Sequence, residues 1–69
     1  MPIKLEYIES LLNSPYEMDI DLWSVPLKTI HELENIYRVS SEYYAGGNNH
    51  WLTLNSGNVT LTLNTINKH

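Results

Sequence analysis

The sequence predicts a small α+β domain of order α-β-α-β-β-β, a mostly antiparallel sheet with two helices on one face. Three observations lead there. From His50 to Ile66 two runs alternate apolar and polar residues on either side of Asn55-Ser56-Gly57-Asn58, as a β-hairpin does. Tyr16 to Trp23 alternates in the same way. Between and before these, Leu5, Ile8, Leu11 and Leu12, and then Leu27, Ile30, Leu33, Ile36 and Tyr37, return at helical spacing. The 69 residues make one domain, 1–69. A chain this short buries only about 60% of its unfolded surface, so its stability margin is thin.

The first helix is expected from about Ile3 to Asn13, with Lys4, Glu6, Glu9 and Asn13 off the apolar stripe and Tyr7 bordering it. Ser14-Pro15 ends it, because Pro15 has no amide proton and biases the preceding residue out of the helical region. The following strand, Tyr16 to Trp23, sends Tyr16, Met18, Ile20 and Leu22 one way and Glu17, Asp19, Asp21 and Trp23 the other. Ser24-Val25-Pro26 interrupts the chain, and the second helix follows. Its start has two candidates: Pro26 suits a first turn, and Thr29-Ile30-His31-Glu32 matches a capping box. Glu32 and Glu34 fall toward its N-terminal half and Arg38 toward its C-terminal end, as the helix dipole favours.

Arg38 to Tyr44 carries a weaker strand pattern and leads into Ala45-Gly46-Gly47-Asn48-Asn49, a turn long enough to reverse the chain into a three-stranded meander. In the hairpin, setting Leu54 opposite Val59 places Leu52 opposite Leu61, Thr53 opposite Thr60 and Trp51 opposite Thr62. Each face then stays uniform, one aliphatic and one of threonine, whereas a slip of one residue would scatter the apolar set. The strand from Val59 to Ile66 has no charge and no proline. It should therefore be paired, central, or used in self-association. Tyr37 and Tyr43 look internal by periodicity. Trp51 falls on the threonine face.

Charge is uneven. All eight acids lie within the first 42 residues, with Lys4, Lys28 and Arg38 as the only bases there, and the chain's net charge is −4. An acidic chain lacks the basic footprint that direct nucleic-acid binding requires and suits a basic protein partner. There is no cysteine, which removes disulfides, thiolate nucleophiles and cysteine-ligated zinc. The N-terminal stretch carries Glu6 and Glu9 within its apolar run, unlike a signal peptide or membrane span. A cytoplasmic protein without membrane association is expected.

The search for chemistry finds little. His31, His50 and His69 have no metal-ligand spacing, and no metal or cofactor is expected. The acids at 17, 19 and 21 lack the glycine and distal glutamate of a calcium loop. His50 and Glu42 flank the glycine turn and form the one candidate acid–base pair; no nucleophile elbow or triad pattern is present, and no enzyme is expected. Gly46-Gly47 has no Lys-Ser/Thr or helix after it to make a phosphate loop.

Binding is the stronger expectation. Same-face residues on a strand stand roughly 6.6 Å apart, from a rise of about 3.3 Å per residue, comparable to the spacing of phosphates along one nucleic-acid strand. Glu17, Asp19 and Asp21 would thus imitate a short phosphate run toward a protein that grips nucleic acid, with Trp23 or Trp51 as apolar anchor. A charged outer face is also the ordinary protection of an edge strand against aggregation. The short, acidic, cysteine-free profile, rich in asparagine and with tyrosine and tryptophan in place of phenylalanine, resembles in type the stand-alone inhibitors of phages and mobile elements, anti-CRISPR proteins among them; that likeness implies an anti-defence inhibitor and no site residues. The expected function is a non-enzymatic protein-binding module, an inhibitor covering a basic nucleic-acid-handling surface. The alternative is a structural or assembly subunit forming a homodimer through the uncharged C-terminal sheet.

Overall fold

A computed structural model describes residues 3–44 and 49–67. The predicted elements occur in the predicted order: α1 (Leu5–Leu12), β1 (Met18–Leu22), α2 (Leu27–Tyr37), β2 (Glu42–Tyr43), β3 (His50–Ser56) and β4 (Val59–Asn64). The turn expected at Gly46-Gly47 and the terminal His69 lie outside the described residues. The amide of Tyr44 donates to the carbonyl of Asn49 at 2.9 Å, closing the loop between β2 and β3.

The sheet is mixed, with strand order β1-β4-β3-β2. The last three strands form the expected antiparallel meander, and β1 joins parallel to β4 on its far side. This makes the uncharged β4 an interior strand with backbone partners on both edges. A parallel neighbour cannot be reached by a tight turn, and here the chain passes through α2, β2 and β3 before β4 returns alongside β1.

The hairpin register differs from the expected one by two residues. Leu54 pairs with Leu61, Leu52 with Leu63, Thr53 with Thr62 and Trp51 with Asn64. A shift of two leaves every side chain on its face, so alternation cannot distinguish the two registers. Turn chemistry decides. Ser56 pairs with Val59, leaving Gly57-Asn58 as a two-residue turn with φ +57° at Gly57, the left-handed value required at the first central position of a type II′ hairpin. Asn58 then anchors the neighbouring segment: its carbonyl accepts from the Met18 amide at 3.1 Å and its Nδ2 donates to the Pro15 carbonyl at 3.1 Å.

One buried cluster unites the elements. Ile8 and Leu12 of α1, Ile30 and Leu33 of α2, Val25, and the aliphatic residues of β3 and β4 are all at most 4% exposed. α1 packs against β4 and α2 against β3. The apolar stripe of α1 packs on the cluster along its length, Leu5 and Leu11 included, whereas that of α2 runs farther than its burial. In α2 only Ile30 and Leu33 are buried, and Leu27, Ile36 and Tyr37 stand exposed. Tyr43, expected inside, is 68% exposed; β2 is two residues long at the sheet's edge, with no further strand beyond it among the described residues.

Of the two candidate starts for α2, the proline prevails. Pro26 is the N-cap, its carbonyl accepting from Thr29 and Ile30 at 2.9 and 3.2 Å, and no side chain caps the helix. At the other end Arg38 adopts φ 57°, ψ 47°, and the Val39 amide donates back to the Glu34 carbonyl at 3.2 Å. This is a Schellman-type stop with arginine where glycine is usual. It prevents the strand expected from Arg38 onward, so only Glu42–Tyr43 pairs.

Two stability outcomes follow. Leu61→Ala empties the centre of the cluster, and the cost of such a change, about 2–5 kcal/mol, rivals the whole stability of a domain this small, on the order of 3–10 kcal/mol; the cooperative thermal transition should be lost or shifted far down. Arg38→Gly relieves a left-handed side chain and should raise stability by about 0.5–1 kcal/mol in urea denaturation. A lower midpoint would show that the arginine side chain contributes more than its backbone costs.

Candidate functional site

The acidic alternation of the early segment is realised as an edge strand. Asp19 and Asp21 pair with Thr60 and Thr62 of β4, and these carboxylates are exposed on the sheet face opposite the buried cluster. Glu17 precedes the strand and is also exposed. None of the three takes part in an ion pair among the described residues. The same face continues through Thr53 and Asn55 of β3, where Thr60 donates its hydroxyl to Asn55 Oδ1 at 3.0 Å. No lysine or arginine belongs to these strands. At the start of β1 a shallow, open cleft of about 400 Å³ is lined by Glu17, Met18, Asp19, Asn58 and Thr60.

The two tryptophans are half-buried rather than bare. Trp51 lies on the same face as the aspartates, with β4 between them, and its ring packs on Tyr44 with centroids 4.6 Å apart and planes at 47°. Tyr44 covers the indole because β2 ends beside β3. The Tyr44 hydroxyl then donates to Oδ1 of Asn64 at 2.8 Å, and Asn64 Nδ2 reaches the Leu22 carbonyl at 3.5 Å. Asn64, 3% exposed, thereby links the two edges of the sheet. Trp23 follows the last residue of β1 and is half-buried. The structure therefore gathers Asp19, Asp21 and Trp51 on one surface, with Glu17 and Trp23 at the two ends of β1.

A second polar cluster was not foreseen. Glu34 lies in the last turn of α2, not in its N-terminal half as the sequence suggested. An anion there opposes the helix dipole and must be met by donors. The Ser41 amide donates to Oε2 at 2.8 Å, the Ser41 hydroxyl to the same oxygen at 3.0 Å, and His31 Nδ1 lies 2.7 Å from Oε1. The contrary placement of the charge was the signal that could have revealed it. His50 Nδ1 stands 3.4 Å from the Ser41 hydroxyl, and its ring meets His31 at 6.2 Å and Tyr43 at 5.7 Å.

The chemistry of this cluster is that of a tie. An activated serine needs the imidazole on its hydroxyl and the carboxylate behind the imidazole; here the carboxylate accepts directly from the hydroxyl. The pairing of His50 with Glu42 is not formed. His50 pairs with Tyr43 and Glu42 with Trp51, so the two side chains leave the sheet on opposite faces. No group of three or more metal-binding side chains occurs among the described residues, and none of the described helices is long and apolar enough to cross a membrane.

No protein-family model, curated protein or solved structure matches this chain.

The Ser41 amide above all, then the His31 ring and the Ser41 hydroxyl, hold Glu34 at about 2 against an ordinary 4.5, with burial opposing them. A carboxyl whose folded value is depressed stabilises the fold above its unfolded value and loses that contribution as pH falls toward the folded one. The tie should therefore weaken between pH 4.5 and about 2. Glu34→Gln should lower stability at neutral pH by about 1–2 kcal/mol and flatten the fall in that acid window. Urea denaturation across pH checks both. Identical pH slopes in the two proteins would remove the tie.

Proposed function

We propose that this chain is a non-enzymatic binding module that inhibits a basic, nucleic-acid-handling protein in the cytoplasm, in the manner of a phage or mobile-element antagonist. The observation that carries the reading is the row of carboxylates at Glu17, Asp19 and Asp21, exposed along an edge strand and matched by no cation among the described residues. Their spacing on an extended backbone resembles successive phosphates, and the uncharged threonine and asparagine surface beside them leaves the negative field undiluted. Trp51, seated on Tyr44 and paired with Asn64, and Trp23, which follows Leu22, give the surface apolar anchors at the end of the acidic row beyond Asp21.

Self-association through the uncharged sheet has less to support it. β4, the strand whose sequence invites pairing, has both edges occupied by β1 and β3. A homodimer would have to use the open face or the edge strands.

Charge steering gives the test. Partners captured from host extract on the wild-type chain should be released as salt rises from about 0.05 to 0.5 M, over which range the Debye length contracts several-fold. A variant carrying Glu17→Gln, Asp19→Asn and Asp21→Asn should fail to retain them. Retention that ignores both salt and these substitutions overturns the reading.

A further inference from the structure

We propose that the free edge of β1 is a strand-addition site for an extended basic segment of the partner, one that alternates lysine or arginine with apolar residues. The inference rests on the functional reading above and specifies how the partner is held.

The main-chain geometry leads to it. Met18 pairs with Val59 in a parallel ladder and donates its amide to the Asn58 carbonyl at 3.1 Å. Along a parallel strand, alternate residues direct both N–H and C=O to the same neighbour. Met18, Ile20 and Leu22 therefore turn their main-chain groups toward β4, and the approach of Asn64 Nδ2 to the Leu22 carbonyl at 3.5 Å comes from that side. Asp19 and Asp21 turn theirs to the open edge. No turn, loop or further strand among the described residues bonds to them. The two residues of β1 with free main-chain groups are thus also the strand's two exposed carboxylates.

Side chains on both faces specify the occupant. On the core side Met18, Ile20 and Leu22 are only half-buried, whereas their partners Val59, Leu61 and Leu63 are at most 1% exposed. The flank left open by the missing neighbour would accept alternate apolar residues of an added strand. On the other face the added strand's residues would stand beside Asp19 and Asp21, where opposite charge is favoured and like charge opposed. A second copy of β1 would bring aspartate against aspartate, so the edge rejects self-pairing and selects a basic strand. The cleft beside Glu17 and Asp19 offers room for one further basic side chain at the start of the segment.

Amide exchange on the full chain tests this with a synthetic peptide of about seven residues, enough to span the strand, alternating lysine with valine. The peptide should bind and slow exchange at the Asp19 and Asp21 amides at least about tenfold. N-methylation of one set of alternate peptide amides should abolish binding while methylation of the other set leaves it intact, and Asp19→Asn with Asp21→Asn should weaken it. No binding, or equal tolerance of both methylation patterns, overturns the proposal. So does binding that leaves the two amides exchanging freely; if that binding is still lost in the asparagine variant, only strand addition fails and the carboxylate reading stands. Indifference to the asparagine changes sinks both. A homodimer protecting the same amides would overturn the selection by charge.

Discussion

Backbone pairing on both sides of β4 is the constraint from which the rest of this molecule follows. A strand of valine, leucine and threonine without a charge or proline would be a hazard at a sheet edge. Here β3 takes one side and β1 the other, and the aliphatic residues Val59, Leu61 and Leu63 are sealed at the centre of the buried cluster. With β1 as the outer partner of β4 and no further strand beyond it among the described residues, the acidic early strand is an edge. That position exposes Asp19 and Asp21 and frees their main-chain groups in one stroke.

The polar ties sit where the small sheet cannot supply hydrophobic cover. Asn64 is the one buried polar residue described, and its amide bridges Tyr44 beyond β2 and Leu22 at the end of β1. Glu34 performs a similar task at the end of α2, gathering the Ser41 amide and hydroxyl just after the left-handed turn at Arg38. In a chain without disulfides, such ties fix the end of β1, the end of α2 and the segment after β2. They also fix Tyr44, and through it the setting of Trp51 on the open face.

The two ends of the sheet therefore differ in kind. The edge at β2 is two residues long and is flanked by the Glu34 cluster. The edge at β1 is longer, half-covered and negative. Aspartates on an open edge attract a basic chain and repel a second copy of themselves by the same electrostatic rule.

Much of this was legible in the residues alone. Alternation fixed which side of each strand is buried, helical spacing located α1 and α2, and Pro15, Pro26 and Gly57 marked where the elements change, because these are local consequences of backbone sterics and side-chain period. Alternation is blind to anything that preserves parity. It could not distinguish the expected pairing of Leu54 with Val59 from the actual pairing with Leu61, nor reveal that β1 lies parallel beside β4, nor show that Tyr37 and Tyr43 fall beyond the reach of the core. Glu34 with Ser41, and Tyr44 with Asn64, join residues that meet only after the sheet is assembled. Those choices belong to the tertiary structure, since they depend on which strand becomes the neighbour of which, and no residue's own preferences contain that information.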